Sequence, residues 1–277
     1  MKLIRRTFIR QTNPVYDIKV KDNHNFYITK NDILVHNSGK GFIASKLIGI
    51  EGKVLDVDAV KKLAVGSIKL AKRIKDETGY DIKNFDLKNP DNVTLLHKIL
   101  QDYDIIDKKN HALFTSIMTK THDKPNLIFD VTLKSITKLH NIVSDVEYMG
   151  YDKKDIHIVW VINDFKVALK QNRERDRMVP EDILIDTHSG ASTTMRKIID
   201  MGPSIKQYMD GDIWFVFNKI FVDIKIAKSE NGGEYVTDVN YIKVKEAGKN
   251  VMSYDKISDN IKQKIYDYTP KRVKSWK

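Results

Sequence analysis

The sequence predicts two parts of different class: a short all-β segment over residues 1–37, then an α/β domain over residues 38–277 that carries a β-hairpin near its end. Three observations lead there. Through Val35 the hydrophobic runs are a few residues long and are separated by turn residues. From Val54 onward, short apolar runs closing on an acid alternate with stretches of helical periodicity, as they do around a parallel sheet. Beyond Ile213, two alternating runs flank Ser229-Glu230-Asn231-Gly232-Gly233, a strong hairpin signal.

In the first part, residues 3–9 and 15–20 read as strands split by a turn at Gln11-Thr12-Asn13-Pro14. Residues 25–29 and 33–35 read as two more, hinged at Lys30-Asn31-Asp32. Strands this short bury no core by themselves, so the segment calls for a partner.

In the second part, Val54-Leu55-Asp56-Val57-Asp58-Ala59 reads as a strand ending in carboxylates, followed by a basic helix over residues 60–75. Residues 92–120 read as mostly helical, with Val93, Leu96, Ile99 and Leu100 at helical spacing. Residues 125–130 read as a buried strand closing on Asp130, and residues 155–162 as another, followed by a helix over 165–177. A parallel sheet binds ligands at the C-terminal ends of its strands, which is where Asp56, Asp58 and Asp130 fall. Thr187-His188-Ser189-Gly190 reads as a loop, and residues 270–277 as a basic, frayed tail with one Trp.

The 277 residues suggest more than one domain. No run of about 18 apolar residues offers a membrane span. Lys2 to Arg6 are basic, but residues 7–13 lack the apolar stretch of a secretory signal. The absence of Cys excludes disulfides, thiolate metal sites and a Cys nucleophile, and it fits a cytoplasmic protein. Net charge is +11, of which residues 1–37 carry +4 and the remainder +7. A basic first segment favours association with an acidic partner, and the rest suits solubility or phosphate-bearing ligands.

The chemistry concentrates at Asp32-Ile33-Leu34-Val35-His36-Asn37-Ser38. The amide nitrogen of Asn can attack its own backbone carbonyl, forming a succinimide and cutting the chain after itself. Asn37 is placed to do so, with His36 to polarise the carbonyl or move the proton. Ser38 then supplies an Oγ that can accept an acyl group. Together with Val15-Tyr16-Asp17-Ile18 and Asp22-Asn23-His24-Asn25-Phe26, the run resembles the C-terminal motifs of inteins, closest to the C-terminal pieces of naturally split ones. The resemblance covers residues 1–37 and implies an all-β, Hint-type fragment, with His24 and Asp17 assisting transesterification and Asn cyclisation. It also implies a separate N-terminal half carrying the N-terminal host fragment, because the intein's own nucleophile and Thr-x-x-His block have no counterpart before Val15. A contiguous intein of which this is the last part is the competing reading.

Ser38-Gly39-Lys40-Gly41-Phe42 then opens a helix and resembles the second half of a phosphate-binding loop. The first glycine and its strand would lie on the partner's host fragment. Gly41 stands where such loops place a magnesium-ligating Ser or Thr, a departure from the pattern. The remainder resembles P-loop kinases and, more distantly, the zeta-toxin group. By that resemblance Asp56 and Asp58 bind and deprotonate an acceptor hydroxyl, and Asp130 faces the metal. Arg173, Arg175 and Arg177 would form a lid clamping phosphates, and ATP with magnesium would be bound. The predicted activity is trans-splicing that completes an ATP-binding kinase. The alternatives are a non-splicing phosphate-loop enzyme and a nucleic-acid-binding protein with a β-rich N-terminus.

Overall fold

The computed structural model describes residues 6–9, 15–18, 52–118, 124–174, 178–219, 221–230 and 234–277. In the first segment, β1 (Arg6–Ile9) and β2 (Val15–Ile18) pair antiparallel, with Thr7 opposite Asp17. The expected strands at 25–29 and 33–35 lie outside the described residues.

The expectation of an all-β Hint-type fragment is overturned. The described residues form eight α-helices against nine strands of four to six residues, and the strands fall into four sheets of two or three. Among the described residues of the first segment, β1 and β2 make a two-stranded ribbon, and such a ribbon by itself does not make a β domain. The single parallel sheet expected for the remainder is likewise replaced by separate small sheets. The mixed α/β character holds.

β3 (Lys53–Asp56) and β4 (Leu127–Asp130) form the first parallel pair. Gly52 opens it: a Cβ there would lie 2.5 Å from the Asn126 carbonyl oxygen. The strand predicted over 54–59 stops at Asp56, because α1 (Val57–Gly66) begins at the next residue and takes Asp58 with it. The helix predicted over 60–75 is two helices. Gly66 lacks the side chain that would favour continuing, and Ser67 caps α2 (Ile68–Thr78) by accepting from the Leu70 N–H at 3.3 Å. The helical stretch predicted over 92–120 also divides, into α3 (Pro90–Asp102) and α4 (Ile105–Met118), at Asp104 with φ 52°. The apolar stripe read from the sequence is buried as expected: Leu96, Ile99 and Leu100 pack with Ala64, Ala71, Ile74 and Ile82 in a helical core.

α5 (Ile136–Tyr148) leads to β5 (Ile158–Ile162), which is followed by α6 (Phe165–Glu174) and α7 (Glu181–Asp200). His188 therefore sits inside a helix, not a loop. Then come β6 (Ile213–Phe217), β7 (Ile224–Lys228), β8 (Glu234–Val239), β9 (Tyr241–Lys245) and α8 (Asp259–Tyr268). β6 pairs with β5 in parallel and with β9 antiparallel, while β7 and β8 form the predicted hairpin.

The β5–β6–β9 sheet explains its own sequence. Ile158, Trp160, Ile162, Ile213, Phe215 and Phe217 face the main core, with α5, α7 and α8. Val159, Val161, Trp214 and Val216 face the β7–β8 hairpin. Both faces are covered, so the strands read as unbroken apolar runs. α5 serves both strand pairs: Leu139 and Val143 join the main core, while Ile142 and Val146 pack with Leu127 and Phe129 of β4.

The frayed tail is also corrected. Trp276 is 1% exposed, lies 5.7 Å from the Phe215 and Trp160 rings, and donates its indole N–H to the Ser192 carbonyl at 3.1 Å. Burying so large a ring outweighs the entropy of a free end. Among the described residues, no helix is long and apolar enough to cross a membrane.

Candidate functional site

The parallel register of β3 and β4 sets Asp56 directly beside Asp130. Neighbouring strands run about 4.8 Å apart, so two carboxylates share the C-terminal rim of this pair. Both are half-buried. Two carboxylates at one rim suit a divalent cation, since magnesium is commonly held by one or two carboxylates together with substrate phosphates. They also suit acceptance of a hydroxyl proton. Asp58 lies one helical step beyond, in the first turn of α1. Among the described residues no cluster of three or more His, Asp or Glu side chains forms a metal cage.

Arg173 lies in the last turn of α6, where its Nε and Nη2 donate to Glu181 Oε1 at 2.9 and 2.6 Å. Beside it, Asn172 ties the same helix to Val179 through both of that residue's backbone groups, at 2.7 and 3.1 Å. Arg173 thus joins α6 to the start of α7. Asp17 lies in β2. His24, His36, Asn37, Ser38, Gly39, Lys40, Gly41, Arg175 and Arg177 lie outside the described residues. Of the predicted site residues, the fold brings Asp56 and Asp130 together.

A second polar rim was missed in the sequence. At the end of β5, Asp164 Oδ1 accepts from the Lys166 N–H at 2.9 Å, capping α6, and its Oδ2 accepts from Lys219 Nζ at 2.8 Å, just past β6. Burial pushes the Asp164 carboxyl up, but Lys219 and the capping N–H groups together hold it below the usual carboxylate range. Next to it, the fully enclosed Asp223 carboxylate accepts from Tyr268 Oη at 2.6 Å, from the Lys219 N–H at 3.2 Å and from Lys264 Nζ. Burial and then the Asp223 charge push the Tyr268 phenol up. The signal was present twice: Ile162-Asn163-Asp164 and Phe217-Asn218-Lys219 both step from apolar strand to Asn to charge.

No protein-family model, no curated protein and no solved structure matches this chain.

Proposed function

We propose that residues 1–37 are the C-terminal half of a split intein, and that splicing in trans joins residues 38–277 to a partner's host fragment to complete an ATP-dependent phosphotransferase. The observation that carries the reading is the ordered run of Asp17, His24, His36, Asn37 and Ser38, followed at once by Gly39-Lys40-Gly41. An acyl group delivered by the partner half would pass to Ser38 Oγ. The Asn37 side-chain nitrogen then attacks its own carbonyl carbon, and the peptide bond to Ser38 breaks, leaving a succinimide and a free Ser38 amine. Migration of the acyl group from Oγ to that amine leaves an ordinary peptide bond.

For the host part, support comes from Asp56 and Asp130 standing in register. Backbone N–H groups from Ser38 to Gly41 with Lys40 would hold the ATP phosphates, Asp130 would face magnesium, and Asp56 or Asp58 would take the acceptor's proton. Arg173, Arg175 and Arg177 would supply positive charge over the phosphates. ATP with magnesium supplies the transferable phosphoryl group when bound. The compartment proposed is the cytoplasm.

Intact mass after mixing the full chain with a candidate N-terminal half tests the reading. A ligated product, with a released piece ending in succinimide at residue 37, is expected, and Asn37→Ala is expected to abolish the release. An unchanged mass with every N-terminal half tried, or release unaffected by Asn37→Ala, overturns it.

A further inference from the structure

A cleft of about 610 Å³ opens between the start of α5, the middle of α7 and the C-terminal tail. Lys134 enters it from the loop after β4, Lys197 from α7, and Arg272 and Lys274 from the tail. Among the described residues lining it, Asp186 is the one carboxylate, and Arg272 already engages it while donating to Ser189 Oγ at 2.9 Å. Lys134, Lys197 and Lys274 have no ion-pair partner among the described residues.

The contrast with a neighbouring cleft is informative. That one, of about 720 Å³ along β9, is also lined by basic residues. There, however, Arg196 pairs with Asp200, Lys243 with Asp212, Lys245 with Asp210 and Lys249 with Glu246. Its positive charge is largely cancelled within the fold. In the first cleft, Lys134, Lys197 and Lys274 have no such partner among the described residues.

Both walls of the first cleft are fixed. Buried Trp276 holds Lys274 and Ser275 in place. Gly190 lets α7 seat against the loop after β4, since a Cβ there would lie 2.7 Å from Lys134 Cβ and 3.0 Å from its carbonyl oxygen. The Ser275 Oγ lies enclosed with no hydrogen-bond partner. The N-terminus of α5 adds partial positive charge to the same wall.

We propose that this cleft binds the phosphate monoester of a ligand no larger than a mononucleotide. Three ammonium groups without an ion-pair partner among the described residues, lining one cleft together with hydroxyls, match a phosphate dianion. The volume lies in the range of small-ligand sites, roughly 300–1,000 Å³. A nucleic acid would need cations strung along successive phosphates, whereas these surround one space. Lys134 follows Asp130 by four residues, a span of at most about 14 Å, so a ligand anchored here lies near the carboxylate rim. The inference stands whether or not the bond after Asn37 is spliced.

Calorimetric titration of the full chain with inorganic phosphate, with adenosine 5′-monophosphate and with single-stranded RNA of increasing length tests it. Saturable binding of the first two is expected, weakened at least tenfold in Lys197→Gln/Lys274→Gln and unchanged in Lys249→Gln of the neighbouring cleft. Lys134→Gln is expected to weaken it as well, and serves if the double variant unfolds early. Three results each overturn the proposal: no saturable binding of either small probe, equal affinity in the variants, or binding confined to RNA and rising with its length.

Discussion

The two parallel strand pairs are built alike and end differently. Each begins with a glycine at a close approach, Gly52 against the Asn126 carbonyl and Gly211 against that of Ile156, where a Cβ would come within 2.5 and 2.2 Å. Both present the ends of their strands as a polar rim. On β5–β6, the Asp164 carboxylate meets the Lys219 ammonium and caps a helix, and Asp223, Lys264 and Tyr268 extend the network. Charge there is answered by opposite charge, which is the arrangement of a structural joint. On β3–β4, like charges stand together: Asp56 and Asp130 share a register position. Two acids at one strand-end rim are the kind of pair that can hold a divalent cation. Equivalent frames therefore separate a rim closed by ion pairs from one where two acids share a register position.

The largest expected effect sharpens the structural side. Trp276→Ala empties a site packed against Phe215 and Trp160 of the β5–β6 pair. It should cost about 3–5 kcal/mol of unfolding free energy, read from denaturant midpoints. Leu55→Ala on β3 should cost less, because the neighbouring Val54 is 55% exposed and the pair carries a thinner core. Equal losses would erase the distinction between a supporting and a supported pair.

Next comes the chemical side. If the proposed ligation yields a phosphotransferase, Asp130→Asn should lower its phosphoryl transfer about 100-fold or more, with stability almost unchanged. Asp164→Asn should do the reverse, costing about 1 kcal/mol or less through the lost ion pair with Lys219, since Asn caps a helix as well as Asp, while transfer stays near normal. If Asp164→Asn removed transfer and Asp130→Asn only destabilised, the roles of the two rims would be exchanged.

Local chemistry made some of this legible in the sequence. The β7–β8 hairpin follows from Asn231-Gly232-Gly233 between alternating runs, and the buried stripe Leu96, Ile99, Leu100 from helical spacing. The strand closing on Asp130 was visible, as was its acid, because an apolar run ending in a charge marks a strand's exit from the core. Helix breaks were not. Ser67 and Asp104 interrupt stretches whose periodicity carries on across them, and caps and a left-handed residue decide the matter there. The tail was misread because charge density at Lys271, Arg272 and Lys274 outvoted a single Trp, whereas in the fold one buried indole fixes the end. The two steps from apolar strand to Asn to charge at Asp164 and Lys219 were visible, but they lie 55 positions apart and neither shows locally that it meets the other.

The smallest effect concerns acid, and it belongs to the ends of the β5–β6–β9 sheet. The Lys245 ammonium, fully buried and 2.7 Å from Asp210, holds that carboxyl below its usual range. Burial pushes the Asp212 carboxyl up, but the Ala247 N–H and Lys243 outweigh it, so Asp212 also lies low, as does Asp164. A carboxyl whose folded value is depressed contributes stability that is fully present above its unfolded value, about 3.9, and is lost as pH falls through the folded one. Stability should therefore vary little on this account between about pH 5 and 7 and decline below about pH 4. Asp212→Asn keeps the side-chain shape but removes one contribution, so its acid decline should be shallower by about 1 kcal/mol or less, since both partners keep some exposure. Denaturant midpoints for parent and variant at pH 7, 5, 4 and 3 read this directly. Parallel curves would move the acid sensitivity away from the Asp212–Lys243 pair at the start of β6.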